Sequence, residues 1–152
     1  MNIVKAALAA LILGTAGGAS AAGPDGLISV ISTHSAVETT DRLEGAAKAR
    51  GLTVFARIDH AAGAAAVGLD LRPTILLIFG NAKGGTPLMQ QAQTLGIDLP
   101  LRALVWQDEG GVVRISYDDP AYLAQRHGLD PRGAAPVTLA GVLAQLAETA
   151  AH

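Results

Sequence analysis

A chain of 152 residues with no cysteine, few aromatic residues and a formal charge of −2 excludes several kinds of protein at once. Without cysteine there are no disulfides, no thiol chemistry and no thiolate metal sites. Without a clustered basic excess there is no electrostatic footprint for nucleic acid, and Phe55, Phe79, Trp106, Tyr117 and Tyr122, the whole aromatic set, make no base-stacking platform.

Residues 1–22 follow the secretory pattern. One positive charge at Lys5 precedes an apolar run from Ala6 to Leu13, and small residues ending in Ala19-Ser20-Ala21 supply a cleavage site after Ala21 or Ala22. A membrane-spanning helix needs about 20 apolar residues, and Gly14, Gly17 and Gly18 interrupt this one, so no stable span is expected. The reading is a signal peptide that sends the chain to the periplasm or the medium. Residues 23–152 then form one domain, large enough to bury a core without disulfides.

The elements follow in order. Leu27 to Ser32 is a β-prone run, and Ser35-Ala36-Val37-Glu38 fits a capping box for a helix that Gly51 stops. Leu52 to Ile58 alternates as a strand with one buried face. Ala61 to Gly68 reads as either a small helix or a loop, and Ile75 to Phe79 is a strand covered on both faces. Gly80 to Gly85 reads as a turn, with Thr86 capping and Pro87 opening a helix that ends at Gly96. Leu101 to Gln107 and Val112 to Tyr117 flank a polar turn and form a hairpin. Asp119-Pro120 starts a short helix closed by Gly128, and Val137 to Ala150 carries helical spacing to the end of the chain. The predicted fold is α+β, a curved antiparallel sheet of about five strands backed by helices, in the order β-α-β-β-α-β-β-α-α.

Several ordered landmarks, IDH at Ile58 to His60, LRPTILLIFGN, GGTPLM, DLPLRALVW and YDDPAYLA, resemble the bacterial domain-of-unknown-function family DUF302 from about Ile28 to Leu129. The resemblance implies a TBP-like α+β fold and no particular reaction. It leaves the helix from Val137 onward outside the family.

Candidate chemistry gathers at a few places. Asp59 and His60 make an acid/base pair only if the strand ends or bulges there, since strand neighbours point to opposite faces; otherwise Asp59 caps the next segment. His34, His60 and His127, with Asp59 or Asp119, lack the spacing of a metal site, and no metal is assigned. Asn81, Lys83, Gly84, Gly85 and Thr86 suit a small anion if the glycines form a backbone nest, or else they are a strand-to-helix turn. Trp106 and Tyr117 either wall a pocket or pack in the core. No GxSxG or SxxK motif marks a hydrolase. The favoured reading is an exported, small-ligand-binding or interaction domain, dimeric through its sheet or terminal helix, that holds an anionic or apolar molecule where Asp59 and His60 meet the glycine turn. The alternatives are an enzyme using His60 and Asp59 as acid and base, or a metal-binding protein. No cofactor is identified by the residues.

Overall fold

Five alternating apolar segments pair into one antiparallel sheet. A computed structural model describes residues 22–152, so the signal peptide expected at 1–22 lies, but for its last residue, outside the described residues. The strands are β1 (Leu27–Ser32), β2 (Thr53–Asp59), β3 (Thr74–Gly80), β4 (Leu101–Gln107) and β5 (Val113–Asp118). They lie in the order β1-β5-β4-β3-β2, and every neighbouring pair is antiparallel. The helices are α1 (Ala36–Ala49), α2 (His60–Ala66), α3 (Ala82–Gln91), α4 (Pro120–Arg126) and α5 (Ala134–Ala151), with a 3-10 helix at Gln93–Ile97. The α+β class, the antiparallel sheet and the helical backing agree with the sequence reading. The undecided stretch after β2 is a helix, α2.

Because β1 and β2 sit on opposite edges, α1 must cross the sheet between them, and it packs on β2, β3 and β4 while α5 packs on α1 and β1. The alternation of each strand decides what lies beneath these helices. Val30, Ile115, Val105 and Ile75 form one cross-strand row, and Tyr117, Ala103 and Leu77 the next. All are buried, together with Leu43 and Ala47 of α1 and Leu143, Leu146 and Ala150 of α5. Each fully buried aliphatic side chain contributes about 1.5–3 kcal/mol, which is how a chain without disulfides holds this sheet. The opposite face carries Ile58, Leu76 and Leu104 side by side, beyond the reach of α1 and α5. Trp106 belongs to that face and Tyr117 to the core, so the two aromatics wall no common pocket. Trp106 pairs with Arg114, three residues from Tyr117, and an odd separation along a strand puts the two side chains on opposite faces. Trp106 instead donates its ring N–H to Ser116 Oγ at 2.8 Å, and that hydroxyl meets Ser29 Oγ at 2.7 Å.

Local chemistry explains the element ends. Ser35 caps α1 by accepting the amide hydrogen of Glu38 at 3.2 Å, and Gly51 follows its end at φ 72°, a conformation that favours glycine. In the hairpin turn, Asp108 accepts the amides of Val112 at 2.9 Å and Gly110 at 3.0 Å and the Nε of Arg114 at 2.9 Å. The Val112 amide first, and then the Arg114 guanidinium, hold its carboxyl below the ordinary value of 3.8. A carboxyl depressed in the folded state adds stability above its unfolded pKa and loses that contribution as pH falls through the folded value. Asp108→Ala should therefore lower the urea midpoint at neutral pH, and the gap from the parent protein should narrow on acidification below about pH 4. Paired urea melts across that range check this.

Candidate functional site

The end of β3 sets the geometry of the site. Gly80 pairs with Thr53 at the start of β2, and Asp59 at the other end of β2 pairs with Ile75. Six residue steps along the strand separate those ends, a distance of about 20 Å. The expected common mouth, shared by Asp59, His60 and the glycine segment, is therefore absent. Asp59 accepts the amide of Ala62 at 2.9 Å and caps α2, where His60 is the exposed first residue.

The glycine segment is not a turn. Asn81, in extended conformation, takes the amide of Gly84 at 2.7 Å and starts α3, so Gly84, Gly85 and Thr86 lie inside the helix and Pro87 in its second turn. Asparagine is as good an N-cap as threonine or better, and by capping immediately after β3 it pre-empts Thr86. No backbone nest forms, because these residues have helical and not alternating conformations.

What α3 does form is a wall. Between the start of β2, the end of β3, α3, the Leu99–Leu101 segment and the first turns of α5 lies a cavity of about 680 Å³. Asn81, Gly84, Gly85 and Thr86 line it, whereas Lys83, Asp59 and His60 do not. Leu52, Leu88, Met89 and Leu99 supply its apolar surface, and Leu139 and Val142 of α5 close it opposite. Among the described residues no charged side chain lines it. On β2 the register shifts between Val54 and Ala56, leaving Phe55 as the bulged residue, 57% exposed and on the cavity wall. A bulge on an edge strand re-aims one side chain, and here the re-aimed side chain is a scarce aromatic.

The histidines do not converge. His34 pairs with Glu38, His60 begins α2, and His127 lies between Asp98 and Thr94. Asp119 caps α4 through the amide of Ala121. Among the described residues no group of three or more ligating side chains forms a metal site.

Comparison with known proteins follows this architecture closely. The family model described as "Domain of unknown function DUF302" matches residues 28–148. The chain belongs to the DUF302 family. The match runs through most of α5, so the terminal helix is part of the DUF302 fold and not an addition to it, contrary to the sequence reading. Packing explains why: α5 contributes Leu143, Leu146 and Ala150 to the core and packs on α1 and β1. A crystal structure of an uncharacterized conserved DUF302 protein from Bacillus stearothermophilus has the same fold, with a TM-score of 0.73 and 22% identity over 82% of this chain and 98% of that one. Two relatives, each named fluoride-specific ion channel FluC 1, from Brucella suis and Brucella abortus, are 54% identical over 104 residues, or 68% of this DUF302 chain. That stretch is 41% of the first relative and 38% of the second, so the chain spans about two fifths of their length.

Proposed function

We propose that this DUF302 domain binds a small apolar molecule in the cavity between β2, α3 and α5. The observation that carries the reading is a space of about 680 Å³ that no charged side chain among the described residues lines. Small-molecule sites commonly measure about 300–1,000 Å³ and are mostly apolar with a few polar groups that orient the ligand. Asn81, Thr86 and Thr138 are those groups here. An anion at the glycine segment fits less well, because Lys83 is exposed and does not line the cavity. The acid/base reading has less support still, since Asp59 is engaged in capping.

Titration with phenylnaphthylamine, a neutral apolar fluorophore, tests the proposal. Saturable binding that is displaced by other apolar molecules supports it, and the absence of a saturable phase counts against it. Phe55→Ala removes an aromatic wall worth about 1 kcal/mol beyond its area and should weaken the probe several-fold or more. Since Phe55 is exposed, the urea midpoint should stay nearly unchanged.

The relatives' channel activity is not part of this proposal. A channel needs spanning segments whose backbone is satisfied within the bilayer. Among the described residues only α5 has the length and composition, and its Leu143, Leu146 and Ala147 are buried in the domain core. The proposal does include export, supported by the leader pattern, and a homodimer through the open sheet face. Arg102 is already paired with Asp98 and Asp118, and Arg114 with Asp108, so burying that face strands neither guanidinium. Sedimentation should show a dimer that Leu104→Lys converts to monomer, and a monomeric parent protein would refute the dimer.

A further inference from the structure

Three side chains outside the cavity form a hydrogen-bonded relay between the 3-10 helix and the end of α4. Thr94 Oγ1 lies 2.9 Å from His127 Nδ1, and His127 Nε2 lies 2.7 Å from Asp98 Oδ2. The carboxylate and the imidazole are buried, with 4% and 7% of their side chains exposed, while Thr94 is open to solvent. The second oxygen of Asp98 accepts from Arg126 at 3.2 Å and, more loosely, from Arg102 at 3.4 Å. A carboxylate held in this way is an acceptor only, so Nε2 must carry the ring hydrogen. In the neutral imidazole the lone pair of Nδ1 then points at the Thr94 hydroxyl.

That is the order of an activated nucleophile: hydroxyl, base, and a buried group that fixes the base's tautomer. The roles of the two ring nitrogens are exchanged relative to a serine protease, but each makes the hydrogen bond its role requires.

We propose that Thr94 is a nucleophile that takes an acyl group from small activated esters, with His127 as general base and Asp98 as its positioning residue. The Thr94 oxygen attacks the ester carbonyl carbon while its proton moves to His127 Nδ1. The tetrahedral intermediate collapses, the bond from carbon to the leaving oxygen breaks, and the leaving alkoxide departs with the electron pair and takes the proton from His127. Water then attacks the Thr94 ester by the same path, releasing the acid and returning the hydroxyl. The exposure of Thr94 suits a short acyl donor with a good leaving group. This site is independent of the apolar cavity, so either proposal stands if the other fails.

The test uses the whole mature chain and p-nitrophenyl acetate. We expect release of p-nitrophenolate with a burst, and an acetyl group located on Thr94 by peptide mass spectrometry. Thr94→Ser should keep the reaction, and Thr94→Val should abolish the label at this position. His127→Gln should slow acylation by about a hundredfold. Both Thr94 variants replace an exposed side chain, so misfolding does not confound them, and circular dichroism checks the His127 variant. Acetylation confined to lysines, or a Thr94 label that forms equally fast with glutamine at position 127, would overturn the proposal.

Discussion

Replacing Phe79 by alanine is expected to lower the unfolding free energy by about 3–5 kcal/mol, a large part of the about 5–15 kcal/mol that holds a domain of this size together. Phe79 is the largest fully buried side chain, with 0% exposure, and it sits on β3 between Val54 of β2 and Leu101 of β4. Its loss leaves a cavity in the layer between sheet and helices, where α1 and α5 are tied into the same cluster of buried residues and cannot collapse inward independently. The single tryptophan, Trp106, reports the urea transition from the opposite face of the sheet, away from the substitution. A loss below about 1 kcal/mol, the range of a surface change, would mean that the sheet-helix layer is not the stabilising core described here.

The second large effect concerns binding and not folding. Ala135 lies in the first turn of the 18-residue helix α5, is exposed, and lines the cavity. An aspartate there complements the positive end of the helix dipole, so Ala135→Asp should hold or raise stability by about 0.3–1 kcal/mol. It also brings a charge to an uncharged apolar space, and an apolar ligand that desolvates it should bind at least about tenfold more weakly. Ala135→Trp, which fills the space without charge, should also reduce probe affinity. The two variants separate charge from volume. If neither changes the affinity of phenylnaphthylamine while both fold normally, the probe binds elsewhere.

Much of the fold is written in local patterns. The apolar runs at Leu101–Gln107 and Ile75–Phe79 do form strands, and the Ser35 cap and Gly51 stop bracket α1 within a residue or two. But β3 is not covered on both faces as its unbroken apolar run suggests: Ile75, Leu77 and Phe79 are buried while Leu76 and Ile78 are only half-buried on the open face. The start of α3 is ambiguous in the sequence because Asn81, Thr86 and Pro87 all carry start signals. The choice between them depends on where β3 stops, and that is set by its pairing with Thr53. The same cause displaced the candidate site. Asp59 and the glycine segment are separated by one α2–β3 passage in sequence, yet an antiparallel register sends them to opposite ends of the sheet.

Other parts had no local signature. Nothing in the residues around Phe55 marks it for a site, and only the register shift at Val54/Ala56 makes it a cavity wall. The α5 residues that close the cavity, Leu139 and Val142, read as one face of an amphipathic helix, with nothing to indicate what that face meets. Thr94, Asp98 and His127 belong to no motif. They come from a short 3-10 helix, the segment after it and the cap of α4, and the fold alone joins them. A signal for Asp98 does exist in principle: a carboxylate four residues before Arg102, both near a strand start, invites a partnered burial.

Amide chemical-shift mapping with phenylnaphthylamine tests the apolar cavity most directly. The account predicts that the resonances of Gly80, Gly84, Gly85, Leu139 and Val142 move together and saturate with one dissociation constant, while Asp59 and His60 stay in place. Shifts centred on the far end of β2, or spread over the open sheet face with the cavity residues unmoved, would contradict it.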